Sequence, residues 1–246
     1  MDVPIQQVKR AWWCNWEVYL IVLVAALFRL VFINNTQFMA DHAIFYQMAY
    51  DGLKHGLWPI SGNRSSAGPL ISPLFVYVMM IPAAISPNPI GGAIFVALCN
   101  VAGVLLTYLF TNRYYGRLAG AIASLLYATA IYVIIFNRDI WQPDLLPPLT
   151  ILFIWCLFKG VVEQRRNWFL PAVLLLGVMV QFHTTAIYLV VPLLAALVLA
   201  FRTLRLREIA LTIGASLILF SPYILLERMV HFVDIQQNIK LVRSPA

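Results

Sequence analysis

The feature that most constrains this chain is its succession of apolar runs, each close to the length that crosses a bilayer. They cover Val18–Ile33, Pro69–Ile85, Gly92–Thr111, Leu118–Phe136, Leu145–Phe158, Trp168–Val180, Ala186–Phe201 and Ile209–Leu226. A spanning helix needs about 20 apolar residues. The composition agrees: 62% of the 246 residues are hydrophobic and the mean hydropathy is +0.83, whereas soluble domains are about half apolar. The runs do not alternate in short strands, which excludes a membrane β-barrel. The expected class is an all-α polytopic membrane protein forming a single module over residues 1–246. The net charge of +7 does not point to nucleic acid, because the Lys and Arg sit in short clusters between the runs.

Those clusters set the topology. Lys9 and Arg10 precede the first run, and Arg113 and Arg117 follow the third. Lys159, Arg165 and Arg166 follow the fifth, and Arg202, Arg205 and Arg207 the seventh. Cytoplasmic loops collect Lys and Arg. All four clusters fall on one side only if Pro69–Ile85 does not cross. That run carries Pro69, Pro73 and Pro82, which suit a broken interfacial or re-entrant helix. About seven spans are therefore expected, with residues 34–91 as a long first outer loop holding two juxtamembrane helices. Val18–Ile33 lacks a small-x-small cleavage site after it and is read as a retained span. Asp41, Asp51, Arg64, Arg138, Asp139, Asp144, His183 and Glu227 then lie outside, so the outer face is where chemistry is expected.

Each of these polar residues has a plain and a functional reading. Arg29, inside the first run, can snorkel to the interface or hold the Asp41 carboxylate ionised. Asp41 opens an amphipathic helix and can be its N-cap or a catalytic acid. His42 beside it is a surface residue before it is a metal ligand, and a contact for substrate if the loop binds one. Tyr46 and Trp58 can stack on a sugar or pack the loop, with packing preferred. Ser61–Tyr77, rich in Gly, Ser and Pro and carrying Arg64, is a plain loop or one whose backbone approaches a ligand. Asn34-Asn35-Thr36 and Asn63-Arg64-Ser65 are formal glycosylation sequons. Arg138, in NRDIWQPD, suits a phosphate held bidentately, although Asp139 can simply pair with it. His183, in QFHTT, breaks an apolar stretch at the outer face, where a turn residue and a functional group are both expected. Glu227 ends the last run, with Arg228 beside it as a local partner. Cys14, Cys99 and Cys156 form no disulfide framework or CxxC pair. Spacing does not demand a metal; a divalent ion on Asp41, His42, His183 and Glu227 stays open.

Taken together, ADHAIFYQMAYDGLKHG, SSAGPLISPLFVYVMMIP, NRYYGRLAGAIASLLYA, FNRDIWQPDLLPPLTILFIWCLF, QFHTTAIYLVVPLL and SPYILLERMVHF resemble, in order, segments of the C-type membrane glycosyltransferase superfamily. The likeness is to its protein O-mannosyltransferase and lipid A aminoarabinose transferase branch, the dolichyl-phosphate-mannose-protein mannosyltransferase-like group. Many relatives carry Asp-Glu where this chain has Asp41-His42, so a single carboxylate remains here. Relatives also continue further, so the resemblance implies that 1–246 is a fragment or a minimal form.

The resemblance implies transfer of a sugar from a polyprenyl-phosphate donor to an acceptor hydroxyl on a protein, lipid or glycan, at the extracytoplasmic face. Asp41 is the expected general base and Arg138 the contact to the lipid phosphate. His183, His42, Tyr46, Arg64 and Glu227 are the further candidate substrate contacts. No cofactor is expected. The expected location is a multi-pass position in the plasma membrane of a prokaryote or the endoplasmic reticulum of a eukaryote. Two rival readings are a lipid or solute transporter or flippase, which predicts internal repeats, and a noncatalytic subunit, which predicts tolerance of substitution at Asp41 and Arg138.

Overall fold

The fold is that of a computed structural model, which describes residues 12–31, 33–63, 71–200, 206–229, 231–233 and 236. Every regular element among the described residues is helical. The helices are α1 (Trp16–Leu30), α2 (Ala40–His55), α3 (Leu74–Ile85), α4 (Ile90–Tyr115), α5 (Arg117–Thr129), α6 (Ile131–Phe136), α7 (Leu146–Val161), α8 (Phe169–Phe182), α9 (Val190–Leu199) and α10 (Leu206–Met229). They divide into two compact units, one of Met1–Phe38 with Ile90–Trp155, the other of Met39–Pro89 with Cys156–Ala246.

The first unit is built on α1, α4 and α5. Ile21 and Ala25 of α1 meet Val101 and Val104 of α4 and Ala128 of α5 in one buried cluster. The α4–α5 corner is tight because Gly116 sits at φ +95°, a conformation that L side chains rarely adopt, while a Cβ on Gly120 would lie 3.1 Å from the Asn112 backbone nitrogen. Both ends of α1 are pinned to α5. At the start, Glu17 takes two hydrogen bonds from Arg117, at 2.5 and 2.6 Å, and a third from the Tyr108 hydroxyl at 2.8 Å. At the other end Arg29 is fully buried and donates to the carbonyls of Ala128 (3.1 Å) and Tyr127 (3.1 Å). Its guanidinium stands 5.6 Å from the Tyr127 ring centroid.

Arg29 thus does something neither sequence reading anticipated. The run Leu118–Phe136, expected as one span, breaks at Ala130, which is extended at ψ 109°. The break strands carbonyls at the end of α5, and the Arg29 fork takes two of them.

In the second unit α2 packs on α3 and α3 on α8, through Phe45 against Phe75 (centroids 5.2 Å) and Phe75 against Phe182 (5.8 Å). Edge-to-face geometry of this kind is favoured between aromatic rings. α2 ends at Gly56, whose φ of +67° gives a left-handed cap. The helix in Pro69–Ile85 is limited to 12 residues, starting after Pro73. α8 and α10 approach closely because Gly177 would place a Cβ 2.8 Å from the Leu219 side chain. Pro222 lies inside α10 and cannot donate to the carbonyl of Ile218. The Ser221 hydroxyl donates there instead, at 2.8 Å, while Gln181 of α8 donates to the neighbouring Leu219 carbonyl at 3.3 Å.

Among the described residues, three helical stretches are long and apolar enough to cross a membrane: Ile90–Tyr115, Gln142–Val161 and Ala210–Met229. The other runs predicted as spans form shorter elements. α1, with 15 residues, rises about 22 Å, less than the roughly 30 Å hydrocarbon core.

Arg29→Ala should leave the Tyr127 and Ala128 carbonyls without donors, at a cost of about 1–3 kcal/mol for each buried orphan group. The thermal midpoint of the detergent-solubilised chain is expected to fall clearly, and Arg29→Lys, with no fork, to recover little of it. A midpoint unchanged by Arg29→Ala would remove this interaction from the account of the α5 break.

Candidate active site

Asp41 sits in the first turn of α2, where the helix dipole favours a negative charge. It is not the N-cap; Met39 is. The Asp41 side chain is exposed, and its Oδ1 accepts a 2.6 Å hydrogen bond from Asn63 Nδ2. Capping falls to the next residue. His42 is buried, and its Nδ1 accepts the Met39 N–H at 3.3 Å. This is the back-reach that a Glu or Gln at the third helical position makes in a capping box. An imidazole at position 42 therefore fills a capping role that Glu or Gln commonly takes.

Asn63 is held by its backbone. Gly62 N–H donates to Ile71 O at 2.7 Å and Ile71 N–H to Asn63 O at 3.0 Å. Ser72, the next residue, is buried and donates to Gln181 Oε1 of α8 at 2.8 Å.

The remaining second-unit candidates spread along α2, α8 and α10. Tyr46 is 2% exposed and donates to the Ser86 carbonyl at 2.8 Å; burial pushes its hydroxyl above the ordinary value. Its ring packs and its proton is committed within the unit. Trp58 is exposed beside Tyr77, with ring centroids 6.2 Å apart. His183 is extended and caps the 3-10 turn Thr184–Leu189, its Nδ1 accepting from the Thr185 N–H at 3.3 Å and lying 2.7 Å from the Thr185 hydroxyl. Glu227 is 1% exposed, yet among the described residues neither carboxylate oxygen has a hydrogen-bond partner. Its expected partner Arg228 instead lines an open cavity of about 550 Å³ with His231, Ile60, Tyr77, Pro222, Leu225 and Met229. Arg64 lies outside the described residues.

Arg138 belongs to the first unit. The turn that carries it is tied down by Thr36, whose hydroxyl lies 3.1 Å from the Arg138 carbonyl and 2.6 Å from Asp139 Oδ1. The Asp139 carboxylate is thus engaged by a hydroxyl from the segment that follows α1. The following stretch is unusually polar inside: Asp139, Gln142 and Asp144 are all buried, and Asp144 Oδ2 has no hydrogen-bond partner among the described residues. Asn100, in the middle of α4, braces the stretch by donating to the Asp144 carbonyl at 2.9 Å and accepting from the Tyr127 hydroxyl at 2.9 Å. The structure brings Asp41 together with Asn63, and Arg138 together with Thr36 and Asp139. Asp41 and Arg138 fall in different units.

Sequence reasoning missed Asn63 as a partner of Asp41, Arg228 and His231 as cavity residues, and Asn100 as a brace. Asn63 was visible only as a sequon, although its loop had been singled out for close backbone approach. Among the described residues, no group of three or more His, Cys, Asp or Glu side chains is placed to share a metal ion.

Residues 69–225 match the family described as dolichyl-phosphate-mannose-protein mannosyltransferase. The matched stretch contains Arg138 and His183 and begins beyond Asp41 and Asn63. A relative from Bacillus subtilis (strain 168), named "Putative mannosyltransferase YkcB", is 30% identical over 117 residues, which are 47% of this chain and 16% of that protein. The chain thus covers only a small share of that relative's length. No solved structure matches the chain.

The capping role of His42 has a measurable consequence. His42→Ala should cost about 1 kcal/mol, the usual value of a lost cap, read as faster amide exchange in the first turn of α2. His42→Glu should restore protection. Equal exchange in all three forms would show that Nδ1 caps nothing.

Proposed function

The chain belongs to the dolichyl-phosphate-mannose-protein mannosyltransferase family, and from that premise we propose that it transfers a sugar from a polyprenyl-phosphate donor to an acceptor hydroxyl. Asp41 is the general base, and the reaction takes place at the extracytoplasmic face of the membrane. The observation that carries this reading is the Asp41 carboxylate itself: exposed, in the first turn of a helix, with Oδ1 held by Asn63. A carboxylate so held presents its other oxygen to an incoming hydroxyl. It removes the proton as the acceptor oxygen attacks the anomeric carbon. The bond to the lipid phosphate breaks on the opposite side, with inversion.

Negative charge grows on the departing phosphate, so a cation there lowers the barrier. Arg138 is the candidate from the first unit. Arg228 is a second, favoured by its place on an open cavity whose other walls are mainly apolar; a phosphate with an isoprenoid tail matches that pairing of charge and hydrocarbon. His183 and Glu227 are further substrate contacts. The acceptor is a protein, lipid or glycan hydroxyl. The membrane arrangement in this reading has about seven spans with residues 34–91 outside. The charge clusters support its sidedness, and the three long apolar helices support membrane embedding rather than the number of spans.

Asp41→Asn should lower transfer from labelled dolichyl-phosphate-mannose by about 10²–10⁴-fold, the usual worth of a general base, while membrane insertion is unchanged. Transfer near the wild-type rate would refute the base assignment. Arg138→Ala and Arg228→Ala assign the phosphate contact: the one that raises the donor KM holds it, and an unchanged KM in both removes the role from both.

A further inference from the structure

We infer that Asn63 is a positioning residue for Asp41, held in place by a backbone clamp that runs to α8 and α10. The inference rests on Asp41 being the base. Four observations within the second unit carry it. The Asn63 amide meets Asp41 Oδ1 at 2.6 Å. An amide donor to a carboxylate is charge-assisted and short when well placed. This bond is exposed to water, however, and a side-chain pair in water holds no fixed geometry on its own. Something else must keep the amide there.

The clamp does so. The reciprocal backbone bonds at 2.7 and 3.0 Å join Gly62 and Asn63 to Ile71. They require close approach: a Cβ on Gly62 would fall 2.9 Å from the Ser72 carbonyl oxygen, a backbone atom that cannot swing away. Ser72 in turn is anchored in the interior on Gln181, and Gln181 on the Leu219 carbonyl of α10. A rigid path therefore leads from two helices to the amide that holds one carboxylate oxygen. With Oδ1 engaged, Oδ2 is the oxygen left to act on an acceptor, and rotation of the carboxyl group is opposed by the loss of that bond. Reacting atoms misplaced by about 1 Å can cost about 10²-fold in rate, so an acid on an exposed helix start gains from such a hold.

The experiment uses the full chain in detergent with labelled dolichyl-phosphate-mannose, and compares wild type, Asn63→Ala, Gly62→Ala, Asp41→Asn and the Asp41→Asn/Asn63→Ala pair. Asn63→Ala should lower kcat about 10- to 100-fold with the donor KM and thermal midpoint near wild type. Gly62→Ala, which alters neither polar side chain, should lower kcat in the same way. In the Asp41→Asn background, Asn63→Ala should lower the rate no further. Wild-type kcat in Asn63→Ala, or an undiminished further fall in the pair, overturns the inference. A parallel reading needs no turnover. The infrared carboxylate band that disappears in Asp41→Asn should shift in Asn63→Ala, and a band that stays in place also overturns it. If Asp41→Asn keeps its activity, or the wild type shows no transfer, the base assignment or the proposed function fails. The infrared band then still decides whether Asn63 holds Asp41.

Discussion

A backbone carbonyl or amide surrounded by hydrocarbon must find its partner inside the protein, because no water is there to supply one. Much of this architecture follows from that constraint. An unbroken helix meets it automatically, and trouble starts where a helix stops or loses a donor. In the first unit the stop is at Ala130, and Arg29 reaches across from α1 to the carbonyls left open. In the second unit the lost donor is the nitrogen of Pro222, and Ser221 and Gln181 serve the carbonyls around it. In both units, some of the buried polar side chains thus serve backbone groups that the helices leave open. The buried guanidinium is costly to desolvate; its two Nη groups go to carbonyls, while Nε has no hydrogen-bond partner among the described residues.

Against that background, Asp41 differs from the other acids. Glu17 is bound by Arg117 and Tyr108, Asp51 accepts from Gln47 one helical turn away, and Asp139 is engaged by Thr36. Asp41 has a single described partner, an amide, and faces solvent. The capping that its position first suggests is carried by His42. With an imidazole as the cap, Asp41 is the one acid in the first turn of α2.

Helix content and the membrane class were legible in the sequence because both depend on apolar periodicity and run length. The break at QFHTT was legible too, since polar residues interrupt an apolar stretch there. Ala130 was not: alanine is a good helix former, and its extended conformation comes from the surroundings rather than from its side chain. Arg29 was misread for a related reason, since a charge within an apolar run looks the same whether it points to the interface or to a broken helix. Asp41 could be picked out as a candidate by its place in the chain. Its partner Asn63 could not, because the contact depends on a backbone pairing between Gly62 and Ile71 that no local pattern announces. Gly62 is the trace of it, a residue kept small where two backbone segments nearly touch.

The clamp also sets an order of assembly. Asp41 and Asn63 are only 22 positions apart, but the Ser72–Gln181 bond that anchors their connection spans 109. A ribosome releases the acid and its amide long before it releases α8. Until that helix arrives, the segment bearing Asn63 has no interior anchor and the carboxylate has no fixed orientation. Between the release of the two segments Asp41 and Asn63 lack that anchor, and alignment comes with the long-range Ser72–Gln181 closure.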